Sequence, residues 1–188
     1  MKVNNSKIHD NIYEKTEKLF LQHGIKGWNM DTVAYESGMA KNTLYKIIGT
    51  KEQLLGQIII SKLKKNIETI VGIFQSEPDF MKAVTIGVRQ LTQSISRDNP
   101  LMLAQVFREY PAIKERFDAI ASKLSTSIHD YLNQAKKSGI VREDIDNDIL
   151  ISSVTAVINH YLNGNFKGRD FEERVYKSLT YLLHGILK

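Results

Sequence analysis

Apolar residues recur at helical spacing along nearly the whole chain. Ile8, Ile12, Leu19 and Phe20, with Tyr13, mark one face of a helix from Ser6 to His23, and Gly24 stands where it would stop. Asn29 is placed to cap a second helix, which Gly38 interrupts after about two turns. A third short helix covers Lys41 to Ile47. Thr50 and Gln53 have the spacing of a capping box, and a long apolar stripe from Leu54 to Phe74 follows them. Pro78, Pro100 and Pro111 punctuate further helical segments at Phe80 to Ser96, Pro100 to Tyr110 and Ala112 to Lys137. Asp146 and Asp170 are placed to cap two more, Asp148 to Leu162 and Phe171 to Leu187, the latter with Glu173 completing a second capping box. No segment alternates with period two. The pattern predicts an all-α fold of about nine helices.

The two short helices around Gly38 raise the functional question, because isolated helices below about 12 residues are marginal in water. A helix-turn-helix explains them: Val33 and Ala34 form the inner face of the first helix, Gly38 the turn, and Met39 with Leu44 the packing of the second. The second helix then turns Lys41, Asn42, Thr43, Tyr45 and Lys46 outward. Lysine neutralises phosphate or donates to guanine, asparagine pairs with adenine, and the hydroxyls reach phosphate or base edges. Charge agrees with this placement. The net charge is +5, and the excess lies within residues 41 to 65, where Lys41, Lys46, Lys51, Lys62, Lys64 and Lys65 face only Glu52.

Over residues 8 to 55 the chain resembles the tetracycline-repressor (TetR) family of transcriptional regulators. Leu19-Phe20, His23-Gly24, Val33-Ala34, Ser37-Gly38, Thr43-Leu44-Tyr45, and Lys51-Glu52 with Leu54-Leu55 stand in that family's order and spacing. The resemblance implies a DNA-binding domain over residues 1–50, with the helix-turn-helix at 29–48, and a ligand-binding and dimerisation domain over 51–188. It implies a ligand-responsive repressor that binds a palindromic double-stranded operator as a homodimer. Asn29, Met30, Lys41, Asn42, Thr43, Tyr45, Lys46 and Lys51 would form the DNA-binding set. Tyr45, Lys46 and Lys51 would hold phosphates, and Asn42 and Thr43 would face the groove. The alternative is a helical protein-interaction module whose basic patch binds without sequence preference.

The family's small-molecule inducer would enter an apolar cavity in the middle of the chain, for which Phe74, Met102, Phe107, Tyr110, Phe117, Tyr131 and His160 are candidates, with Arg89, Arg108 and Asn159 as further polar anchors. Read singly, each aromatic better suits a core; as a set, some of them are expected to border the pocket. The last two helices are apolar over more than one face, and Val154, Val157, Ile158, Tyr161, Leu179, Leu182, Leu183 and Ile186 are expected at a dimer interface, with Ser153, Ala156, Ser178 and Gly185 permitting close approach. There is no cysteine, and His9, His23, His129, His160 and His184 lack metal-ligand spacing. No catalytic signature, cofactor motif, signal peptide or membrane span is visible, so a cytoplasmic regulator is expected rather than an enzyme.

Three positions depart from the family pattern: Trp28 replaces threonine, Ala40 a serine cap and Ile48 an aromatic. Losing the Ala40 cap costs about 1 kcal/mol of local helix stability. Amide hydrogen exchange in the free protein is therefore expected to be faster in Lys41 to Ile47 than in the first helix. Equal protection would show that packing fully replaces the cap.

Overall fold

Local signals set most helix ends. In the computed structural model, which describes residues 5–97, 100–164, 166 and 168–187, the order is α1 (Asn5–His23), α2 (Met30–Glu36), α3 (Lys41–Ile48), α4 (Lys51–Ser76), α5 (Phe80–Arg97), α6 (Pro100–Glu109), α7 (Pro111–Lys137), α8 (Asn147–Asn163) and α9 (Gly168–His184). Among the described residues there are no strands, only an isolated antiparallel bridge between Val141 and Leu187. Asn29 Oδ1 accepts from Thr32 N at 3.0 Å and starts α2. Thr50 Oγ1 accepts from Gln53 N at 3.2 Å while Gln53 Oε1 accepts from Thr50 N at 2.8 Å, the reciprocal cap expected at α4. Asp146 Oδ1 accepts from the amides of Asp148 and Ile149 at the start of α8.

At α9 the expected capping box is not used. The helix begins at Gly168, so Asp170 and Glu173 lie inside it and pair one turn on with Arg174 at 2.7 Å and Lys177 at 2.6 Å. It also ends earlier, at His184, and Ile186 O accepts from Arg142 N at 3.0 Å beyond its end.

The chain forms two compact units. The first comprises residues up to Lys62 together with Leu101–Phe117. Its core joins Ile12 and Phe20 of α1, Val33 of α2, Leu44 of α3, Leu54 and Leu55 of α4, Val106 of α6 and Ile113 of α7, all at 4% exposure or less. Two polar clamps run from α1 to the short helices. Asn11 Nδ2 donates to Ser37 O at 3.2 Å, beside the Gly38 turn. Tyr13 Oη donates to Gln57 Oε1 at 3.1 Å, and Gln57 Nε2 donates to Ile48 O at 3.2 Å at the end of α3.

The second unit comprises Leu63–Pro100 and Asp118–Lys188. There α9 packs on both α5 and α8, burying Phe171, Val175, Leu179 and Leu183 as one stripe.

Gly38 (φ 66°) and Gly49 (φ 87°) flank α3 in the left-handed region. A Cβ on Gly38 would meet nothing within 4 Å, whereas one on Gly49 would stand 1.8 Å from Gln53 Oε1. Gly38→Ala is expected to destabilise by about 1 kcal/mol from backbone strain alone, and Gly49→Ala by about 2 kcal/mol or more because it also breaks the α4 cap. Urea denaturation of the two variants measures this, and equal costs would mean that Gln53 yields freely.

Candidate nucleic-acid interface

The face that α3 presents is set by what it buries. Leu44 has 0% and Ile48 3% relative exposure, and Ile47 packs half-buried against the same core. With those positions inward, Lys41, Asn42, Thr43, Tyr45 and Lys46 are all exposed. Ala40 offers no side-chain cap, yet its carbonyl accepts from Thr43 N at 2.9 Å and Leu44 N at 3.1 Å, and the first turn of α3 is closed.

Three of the expected DNA-binding residues stand differently from the rest. Met30 is 4% exposed and belongs to the core, because it shares the inner face of α2 with Val33 and Ala34, three and four positions on. Asn29 remains exposed, but its side-chain oxygen is engaged as the α2 cap, accepting from Thr32 N and Thr32 Oγ1. Lys51 is turned inward. Its Nζ donates to Ile25 O at 2.5 Å and Trp28 O at 2.6 Å and lies 3.9 Å from the centre of the Trp28 ring. Two of its three N–H groups are thereby used on carbonyls. Burial of the ammonium lowers the Lys51 pKa, with the charge of Glu109 opposing that shift. The lysine charge at this end of α4 is thereby engaged within the chain, and the first-turn amide of Gln53 is taken by the Thr50 cap.

The basic patch is consequently smaller than the lysine count suggests. Lys41 Nζ lies 2.8 Å from the Asp31 carboxylate, and this hydrogen bond, with the attraction behind it, raises the Lys41 pKa. Lys62 pairs with Glu17 at 2.7 Å. Lys46 is the exposed lysine of α3 outside any ion pair among the described residues. Two residues that pattern reading did not single out join this surface. Asp31 became visible only once α2 and α3 were packed, since a ten-residue separation carries no helical signal. Tyr35 is 84% exposed, and its position between buried Ala34 and the Gly38 turn could have marked it as outward.

In the second unit, a cavity of about 260 Å³ is bounded by α4, α5, α7, α8 and α9. Phe74 and Tyr131 line it, their rings stacked at 4.5 Å and 10°, and Phe80 lies parallel to Tyr131 at 5.3 Å and 13°. The other expected lining residues are elsewhere. Phe107, Tyr110 and Phe117 pack against the first unit's core, Phe107 and Phe117 as a tilted pair at 5.1 Å, because α6 and the start of α7 cover that core. The Met102 side chain lies outside the described residues. His160 and Asn159 are exposed on α8, Arg108 is exposed on α6, and Arg89 stands over the Tyr176 ring at 5.1 Å.

The expected dimer residues are largely internal. Ile158, Leu179, Leu183 and Ile186 are at most 8% exposed within the single chain, and Val154, Val157, Tyr161 and Leu182 pack half-buried on the same core. Ser178, expected to permit close approach, is bonded to Tyr161 Oη at 3.0 Å between α8 and α9.

Residues 12–58 match the model of bacterial regulatory proteins of the tetR family. These residues form a tetR-family DNA-binding domain. An HTH-type transcriptional regulator of Haemophilus influenzae is 22% identical over 176 residues, which is 92% of this chain and 91% of that one. Solved tetR-family structures share the fold. The fatty acid degradation regulator FadR of Bacillus halodurans superposes with a TM-score of 0.76 at 15% identity, covering 98% of this chain and 97% of that one. AibR, solved with isovaleryl coenzyme A and operator DNA, gives 0.67 at 21% identity over 92% and 96%. Among the described residues no cluster could hold a metal ion, and no helix is long and apolar enough to cross a membrane.

Because Lys51 carries two partly buried bonds to carbonyls, Lys51→Met is expected to destabilise by about 1–2 kcal/mol, whereas Lys46→Met is expected to stay within about 0.5 kcal/mol of the parent. Denaturant titration of both variants checks this, and equal stabilities would show that the inward lysine contributes nothing to the fold.

Proposed function

We propose that this tetR-family regulator is a ligand-responsive repressor that reads a palindromic operator as a homodimer. The observation that carries the reading is α3, an eight-residue helix pinned by Leu44 and Ile48 with five polar or aromatic side chains left outward. Such a face has the width of the major groove and donors suited to both phosphate and base edges. Asn42 and Thr43 are assigned to base edges, Tyr45 and Lys46 to phosphates. Residues 1–50 are assigned to reading DNA, in the cytoplasm with the chromosome, and residues 51–188 to ligand binding and dimerisation.

A single α3 contacts too few base pairs to be specific, and two of them about 34 Å apart match successive major grooves. For pairing, the outward side of α8 and α9 is available, with Ile149 67% and Tyr181 74% exposed. The ligand reading rests on the apolar cavity, to which α4 contributes Ile70 and Phe74. The same helix continues without a break to Lys51. A ligand that shifts Phe74 would bias α4 and through it the spacing of the two reading helices, provided it binds the released state more tightly than the operator-bound one. AibR, whose structure contains both a small organic ligand and operator DNA, supports such coupling by analogy.

Selection of bound duplexes from a random pool at near-physiological salt tests the reading. An inverted repeat is expected to be enriched by the parent protein and lost with Tyr45→Ala/Lys46→Ala. Enrichment of no sequence, or equal behaviour of the double variant, would overturn it in favour of a non-specific basic module.

A further inference from the structure

The cavity in the second unit says more than that a ligand enters. It is lined by side chains of which none is charged, and its polar groups are the hydroxyls of Ser125, Tyr131 and Thr155. Thr155 Oγ1 already donates to Ile151 O at 2.9 Å. Tyr131 stays a neutral phenol, since burial first, and then the charges of Asp79 and Glu77, raise its pKa. Those nearby charges are negative, so they repel an anion as well. The expected polar anchors Arg89, Asn159 and His160 are all outside the lining. The space is partly open, and an ionised group seated against its apolar wall would give up part of its hydration without gaining a counter-charge.

Size restricts the occupant further. An engineered apolar cavity of about 150 Å³ takes benzene, and drug-sized ligands use about 300 Å³ or more. At about 260 Å³ this one falls between them. Its wall is shaped rather than merely apolar. Phe74 lies against Gly87, where a Cβ would stand 3.2 Å from the ring, and Phe74, Tyr131 and Phe80, stacked on one another through Tyr131, make one side of the space a near-parallel aromatic wall suited to a ring compound.

Building on the ligand-binding reading above, we propose that this cavity takes an uncharged, largely hydrocarbon ring compound of about two fused rings, bearing at most a hydroxyl-sized polar group, and rejects carboxylates and ammonium ions of the same shape. The test compares 2-naphthol, 1-naphthoate and 1-naphthylmethylammonium by calorimetric titration of the full chain and by thermal shift. 2-Naphthol is expected to bind at least about 100-fold tighter than either ion. Ser125→Leu from α7 and Val88→Phe from α5 fill the cavity by different routes. Each is expected to weaken 2-naphthol binding about tenfold or more while melting as cooperatively as the parent. The proposal is overturned if either ion binds as tightly as 2-naphthol, if no probe binds, or if a cooperatively folding filled variant binds undiminished. A separate arm measures affinity for the selected operator with 2-naphthol present. Neutral-selective binding that leaves operator affinity unchanged would establish the ligand class and remove the ligand-responsive part of the function proposed above.

Discussion

The burial of Leu44 is the contact on which the outward face of α3 depends. This side chain has no exposed area, and it anchors an eight-residue helix that has no side-chain cap. Full burial of a leucine is worth about 1.5–3 kcal/mol, and losing an N-cap costs about 1 kcal/mol. Packing therefore outweighs the missing cap, and the helix stands closed with Ala40 O accepting from two amides. Once Leu44 is inward, helical geometry leaves no choice about Lys41, Asn42, Thr43, Tyr45 and Lys46. The surface that could touch DNA is what remains of a helix after its core contact is fixed.

A second layer keeps that helix in place. Asn11 and Gln57 bond to backbone carbonyls at the turn and at the end of α3, so the direction of the helix is held by polar groups as well as by apolar burial. Lys51 performs the same office at the loop before α2, joining the carbonyls of Ile25 and Trp28 and covering the indole face. Trp28 is 4% exposed, and its Nε1 has no hydrogen-bond partner among the described residues. The cation above the ring and the apolar burial around it are what hold it there.

Much of this was legible in the residues because the signals are local. Asn29, the Thr50–Gln53 pair, Asp146, and the prolines announce helix ends within a single turn, and the structure follows them. Positions that required tertiary knowledge were read less well. Met30 follows an N-cap and looked available, but its face is fixed by Val33 and Ala34. Lys51 carried a charge at a helix start, and nothing nearby in sequence shows the two carbonyls that capture it. Phe107, Tyr110 and Phe117 have the composition of a pocket, and only the fold shows that α6 closes the first unit's core. The α9 stripe of Phe171, Val175, Leu179 and Leu183 is equally consistent with a partner chain or with the chain's own α5 and α8, since periodicity does not name what a stripe packs against.

The pairing of Lys41 with Asp31 has a kinetic side. Loose, sequence-blind adhesion to DNA comes from the number of cations free to displace counterions, and it governs how long a protein lingers at each wrong site. Here Lys41 of α3 is paired with a carboxylate and Lys51 is folded inward, so fewer cations than the lysine count suggests would add to unspecific grip. Under the proposed function, each lysine engaged within the chain lowers the counterion release that a random site would gain, and so weakens adhesion at wrong sites more than a hold made through base edges.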